Sequence, residues 1–172
     1  MMILRPASLD DIPALAALGR SSFVAAFGHL YKREDLDAFL DAAYSRAAVS
    51  QDMADPNRLY RLASDGNALT GYCKISLVSP YAQHSDARDP MAINQLYTAP
   101  GATGQGIGAA LMEWALAEAN HRGKDAIQLS VWSENHGAQR FYQRYGFAKI
   151  ADIHFMVGNH RDDELLFELR PG

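Results

Sequence analysis

"YTAPGATGQGIGAALMEW", residues 97–114, passes from a β-prone segment through a glycine-dense turn into a stretch with an apolar stripe at helical spacing. Gly101, Gly104, Gly106 and Gly108 crowd that turn. Glycine inside a helix start is unfavourable by roughly 1 kcal/mol relative to alanine, so some gain must offset it. Backbone N–H groups at a helix start have no intrahelical partner and lie at the positive end of the helix dipole. They form a site for an anion, and glycines let it approach without meeting a Cβ. Tight packing of the turn is the competing explanation.

Working outward, "MMILRPA" reads as a first strand, and Ser8-Leu9-Asp10-Asp11 as the cap and acidic first turn of a helix reaching about Phe27. "REDLDAFLDAAYS" repeats the helical spacing, and residues 47–53 suit a short third helix. After the break at Asp55-Pro56-Asn57, "RLYRLAS", Asp65-Gly66-Asn67 and "LTGYCKISLV" read as strand, turn and strand. Residues 79–90 form a long loop, of a length that is often functional. "MAINQLYT" is the strand that feeds the glycine turn, Gly123 ends the helix beyond it, and "AIQLSVW" is the next strand. Strand, helix and strand in that order predict a parallel pair with a right-handed crossover. "NHGAQRFYQRY" is a short helix closed by Gly146-Phe147, and "KIADIHFMV" and "ELLFELR" form a terminal hairpin across residues 158–163. The expected class is α/β, with a mixed central sheet of six to seven strands flanked by helices.

Composition sets limits on function. A chain of 172 residues at 48% hydrophobic suits one domain, residues 1–172. No apolar run approaches the roughly 20 residues of a membrane span, and the start has no signal-peptide core, so a soluble, cytoplasmic protein is expected. Net charge is −4 with no Lys/Arg cluster, which argues against nucleic acid as a partner. Six histidines lack ligand spacing and Cys73 is the single cysteine, so no metal site is expected and Cys73 reads as a buried structural thiol. A homodimer is left open.

Spacing separates three phosphate-binding readings of the turn. A Walker loop requires Lys-Ser/Thr after its last glycine, and no lysine follows any of these. A Rossmann-type dinucleotide-binding fingerprint is met in letters by Gly104-Gln105-Gly106-Ile107-Gly108-Ala109. Its acidic partner would be Asp125, which lies before the next strand instead of at its end, and the 38 residues after Glu134 leave no room for further βαβ units. The third reading fits both flanks. Gly106-Ile107-Gly108-Ala109 opening the helix, followed by Asn135, Ala138, Phe141, Tyr142, Gly146 and Phe147, resembles the GNAT superfamily of acetyl-CoA-dependent N-acetyltransferases. The resemblance extends over essentially the whole chain.

The GNAT fold and acetyl-CoA as co-substrate follow from that resemblance. It implies that Gly104, Gln105, Gly106, Ile107, Gly108 and Ala109 hold the CoA pyrophosphate. It also implies that Leu96, Tyr97 and Thr98 splay from "AIQLSVW" and pair with the pantetheine arm. Asn135 is implied as a helix cap, a CoA contact or both. Tyr142 corresponds to the tyrosine that in many relatives protonates the departing thiolate, in a direct attack of amine on thioester; an aromatic core role is the alternative. Two positions depart from the pattern. Thr103 stands where relatives carry Arg or Gln, and Asn94 where many carry a glutamate base. A catalytically impaired CoA-binding sensor domain is therefore the rival reading. Glu134, His84 and His154 are alternative proton relays. The chain ends are similar to the PaiA-like polyamine acetyltransferase subgroup, which suggests a small amine, and possible cavity acids are Asp86, Asp89, Glu34 and Asp35, each equally readable as a solvated surface carboxylate.

Overall fold

The computed structural model describes residues 1–171. Its elements, in chain order, are β1 (Ile3–Pro6), α1 (Ile12–Phe27), α2 (Arg33–Ala43), α3 (Arg46–Ala54), β2 (Arg58–Ser64), β3 (Leu69–Ser76), β4 (Pro90–Thr98), α4 (Ile107–His121), β5 (Ala126–Trp132), α5 (His136–Arg144), β6 (Ala148–Val157) and β7 (His160–Leu169), with short 3-10 turns before α1, after α1 and in the 79–90 loop. The strands make one seven-stranded sheet in the order β1-β2-β3-β4-β5-β7-β6. All neighbours are antiparallel except β4 and β5, the pair joined by α4. Such a parallel pair needs a crossover, and the glycine turn opens it.

Alternation along the strands divides the core between the two faces. Ile107, Leu111, Met112 and Ala115 of α4 pack on Ile127, Leu129 and Val131 of β5 and Phe167 of β7. The other face carries two clusters. Leu15 and Leu18 of α1 pack on Tyr60, Leu62 and Tyr72, while Phe23, Leu40 and Tyr44 close on Val157. Cys73 is fully buried in the first cluster, as a structural thiol.

One difference from the sequence reading affects the site. Residues 158–163 were expected as the loop of the terminal hairpin, but β7 begins at His160 and the turn is only Gly158-Asn159. Gly158 has φ +57°, and glycine first in a two-residue turn suits the right-handed twist of the hairpin's strands. Residues 160–163 are thereby in the sheet, where Asp162 and Glu164 share one face.

Two polar clusters brace the middle of the sheet. Gln128, fully buried on β5, accepts from Ser79 Oγ at 2.6 Å and donates to Glu168 Oε1 at 3.1 Å, and Ser85 Oγ donates to the same carboxylate at 2.8 Å. These bonds tie the start and the middle of the 79–90 loop to β5 and β7. On β3, the buried Lys74 ammonium is bonded to Asp52 of α3, and burial lowers its pKa against the pull of that carboxylate. Asp52→Ala should destabilise the protein by about 3 kcal/mol, because it strands a buried cation. Lys74→Met should cost much less. Urea unfolding of both variants checks this, and equal effects would remove the stranded charge as the cause.

Candidate active site

β4 pairs with β5 at only three positions, Pro90↔Ala126, Met91↔Ile127 and Ala92↔Gln128. On its other edge β4 stays paired with β3 as far as Thr98. The β3–β4 register steps from Ile75↔Ile93 to Lys74↔Gln95, so Asn94 is an extra residue on β4. A bulge of this kind bends its strand and increases local twist, and here it lies two residues past the last β4–β5 pair. Ser76 Oγ donates to Asn94 Oδ1 at 2.7 Å. The strands part, and backbone groups of residues 93–98 are left without a partner on β5.

A cavity of about 510 Å³ occupies this gap and reaches both faces of the sheet. Asn135, Ala138 and Tyr142 line it on the α4/α5 face, and Phe23, Phe27, Tyr31, Tyr44, Asp162 and Glu164 on the α1/α2 face. Gln95, Leu96 and Tyr97 of β4 form the wall between. Of the β4 residues expected to meet the pantetheine arm, Leu96 and Tyr97 thus line the gap, and Thr98 ends the strand at the glycine turn.

In the turn, Gly101, Gly104 and Gly106 have φ of +90°, +81° and +78°, a region other residues avoid. A Cβ built on any of the three meets nothing within 4 Å, so packing inside the protein does not explain them. Gly106 caps α4 with no side chain covering the helix start. Gly104, Gln105 and Gly106 are exposed, Ile107 is buried and anchors the helix, and Gly108 and Ala109 are half-buried. The result is an open cradle of backbone donors that fits an anion such as a pyrophosphate. Thr103 is exposed in the same turn. Asp125 accepts from the N–H groups of Arg88 and Asp89 at 2.7 and 2.9 Å, a structural duty that accounts for it without a ribose.

α5 presents the tyrosine. Asn135 Oδ1 accepts from Ala138 N at 3.2 Å and so caps the helix, while the residue also lines the cavity. Tyr142 packs edge-on against Phe141 and Phe147, at 5.4 and 6.0 Å between ring centroids, and has one side on the cavity. Burial pushes its phenol well above the usual tyrosine range, and raises the nearby Cys73 thiol for the same reason. Tyr97, whose hydroxyl is 2.7 Å from that of Tyr44, is pushed up to about 12, chiefly by burial.

The opposite face is acidic and aromatic. Asp162 accepts from Tyr31 OH, and His160 Nε2 lies 3.1 Å from its other oxygen. Glu164 accepts from Ser130 Oγ at 3.3 Å, and its Oε2 is buried without a partner. Burial, reinforced by the charge of Asp162 and opposed by the Ser130 hydrogen bond, pushes Glu164 up to about 7.

The acids considered from sequence lie elsewhere. Asp86 pairs with Arg170, Asp89 with Lys124, Asp35 accepts from Asn159 N, and Glu34 is exposed on α2. Glu134 and His136 pair loosely at the start of α5, His84 is exposed in the loop, and His154 meets Arg161 on the hairpin surface. None of these lines the cavity. The acidic residues before the final strand are a feature shared with the PaiA-like subgroup, but Asp162 and Glu164 are not among the expected cavity acids, because the first was assigned to a loop and the second to no face. The Gly-Asn dipeptide was the available signal for a tighter turn, and strand alternation from residue 160 would have aligned both acids.

The Acetyltransferase (GNAT) family model matches residues 20–147, the span holding the gap, the glycine turn and α5. The chain belongs to the GNAT family. This acetyltransferase is 31% identical over 156 residues to an uncharacterised N-acetyltransferase of Mycobacterium bovis, covering 91% of this chain and 95% of that one. It is 32% identical over 145 residues to the aminoalkylphosphonate N-acetyltransferase of Salmonella typhimurium, covering 84% and 83%. Its fold is shared with the PaiA N-acetyltransferase of Thermoplasma acidophilum, solved in complex with coenzyme A, at a TM-score of 0.80 and 18% identity over 99% of each chain. The family makes it an acyltransferase, and among the described residues no cluster could hold a metal and no helix is long and apolar enough to cross a membrane.

The cradle yields a controlled test. Gly106→Val should weaken acetyl-CoA binding about tenfold or more, a loss of at least ~1.4 kcal/mol. Gly123→Val, at φ +69° beyond the far end of α4 and also in open space, carries the same backbone strain away from the turn. Calorimetric titration should show the loss in the first variant alone; equal affinities would remove the turn from the site.

Proposed function

We propose that this enzyme transfers the acetyl group of acetyl-CoA to a primary amine of a small, multiply charged cation of the polyamine type. The observation that carries this is the cavity running through the sheet, with a phenol on one side and two carboxylates among aromatic rings on the other. No Lys, Arg or His lines it. An ammonium group gains there from carboxylates and from the faces of Phe and Tyr rings, whereas an anionic acceptor meets only like charge. That distinguishes this cavity from one suited to an aminoalkylphosphonate, the acceptor in the Salmonella relative's name.

In this reading residues 104–109 hold the pyrophosphate, residues 96–98 extend backbone groups along the amide-bearing arm, and Asn135 borders it. Acetyl-CoA supplies the thioester, whose acyl carbon the amine nitrogen attacks. Tyr142 holds a proton where sulfur leaves. Its raised pKa keeps the phenol protonated at any working pH. The same dry surroundings penalise a thiolate, so the donation stays matched to its acceptor.

Tyr142→Phe keeps the ring and its packing. Single-turnover acetylation should slow by roughly 100-fold, with acetyl-CoA affinity and melting temperature nearly unchanged. Equal single-turnover rates would return Tyr142 to a packing role. Against a panel of acceptors, spermidine or spermine should exceed free amino acids and aminoalkylphosphonates in kcat/KM by about tenfold or more, a margin of ~1.4 kcal/mol. A preference for an anionic acceptor would contradict the cation reading, and acetyl-CoA binding without turnover on any amine would favour a sensor.

A further inference from the structure

We infer that Glu164 is the base that takes the proton from the acceptor's ammonium group, an assignment that rests on the amine-acetylating reading above. An alkylammonium group has a pKa near 10.4, and its nitrogen has no lone pair to attack with until a proton leaves. Asn94, at the position where a base was expected, cannot accept that proton, and its carbonyl oxygen is already bonded to Ser76. The groups in the cavity that can titrate are five tyrosines, Asp162 and Glu164. Burial raises all five phenols, so they remain protonated. Asp162 is committed on both oxygens, to Tyr31 and to His160. Glu164 alone holds a carboxylate oxygen that is closed off from water and has no partner, and a buried polar atom of that kind calls for one.

Its position suits the task. Glu164 sits opposite Trp132 in the β5–β7 ladder, and its side chain reaches along the sheet to Ser130. Ser130 is two residues past the last β4–β5 pair, on the rim of the gap. Tyr142 and Glu164 approach that gap from opposite faces, so the proton leaving nitrogen and the proton reaching sulfur use separate groups.

The protons balance. Glu164 takes one from the ammonium nitrogen and passes it to solvent when the product leaves. The freed lone pair forms the N–C bond, and the C–S pair departs on sulfur, which takes the proton of Tyr142. The second N–H proton restores the phenol, leaving one amide N–H and one proton released per turnover. Ionisation of Glu164 is set by burial and by the groups facing it: Asp162 on its own strand, Tyr31 before α2, Tyr81 of the loop, Tyr97 of β4 and Ser130 of β5. A value of about 7 leaves a substantial carboxylate fraction at neutral pH.

The test is Glu164→Gln, which keeps the shape and removes the base. Wild-type kcat/KM for spermidine should climb with pH and bend near 7, where Glu164 is half ionised. The variant should fall about 100-fold at pH 7. It should then climb tenfold per pH unit with no bend there, because only amine already deprotonated in solution can react. Acetyl-CoA affinity should not change. A variant with the wild-type rate and the same bend would overturn the assignment; a wild type inactive on every amine would overturn the acetylation reading instead. Stability gives a readout independent of activity. Folding raises this carboxyl from 4.5 to about 7, so the native state binds more protons than the unfolded chain across that window. Wild-type stability relative to the variant should fall as pH rises from 4.5 to 7 and level off beyond. A flat difference in melting temperature over this range, together with a bend near 7 in wild-type kcat/KM, would also overturn the assignment, since that bend would then belong to another group.

Discussion

The parting of β4 from β5 is the constraint on which the rest of the site depends. A closed ladder would satisfy every backbone group and leave no passage through the sheet. Three paired positions followed by a bulge at Asn94 produce the opposite outcome. Unpaired peptide groups on a strand edge are a template for another extended chain, and inside a domain they call for a partner. A ligand bearing amides in line can supply it. The bulge is held in turn by β3, whose Ser76 bonds Asn94 and whose Tyr72 hydroxyl donates to Gln95 at 2.8 Å. Lys74, paired with Gln95 in the register and bonded to Asp52, fixes the same stretch from the α3 side.

Because the gap opens on both faces, its two sides offer opposite environments. The α4/α5 face offers backbone donors of the glycine turn to an anion, then a phenol among aromatic rings. The α1/α2 face offers carboxylates and ring faces to a cation. Low dielectric works on both. It keeps the proton on Tyr142 and moves Glu164 into the range where gaining and losing a proton are both easy near neutrality.

Much of this was legible in the sequence. All seven strands and five helices were anticipated, because glycine, proline and Asx punctuation falls between segments of clear period. The glycine turn pointed to close approach of an anion with tight packing as the competitor, and the open space beside Gly101, Gly104 and Gly106 removes that competitor. The bulge was not legible. It is a property of the register between β3 and β4, and nothing local to "AINQ" reveals that Asn94 lacks an opposite residue. The acids were missed for a simpler reason: placing residues 160–163 in a loop shifted the start of β7, and with it any judgement of which carboxylates face inward. A run of His, Arg, Asp and Glu also looks like solvated surface until the neighbours across β5 are known.

The central claim is that coenzyme A completes the unpaired edge of β4 while its pyrophosphate occupies the turn. Backbone hydrogen–deuterium exchange with and without coenzyme A measures both at once. Exchange should slow together in residues 93–98 and residues 103–109, with β2 and β6 unchanged. Slowing in the turn alone, with residues 93–98 exchanging as before, would contradict the claim that the parted strand is what binds the cofactor's arm.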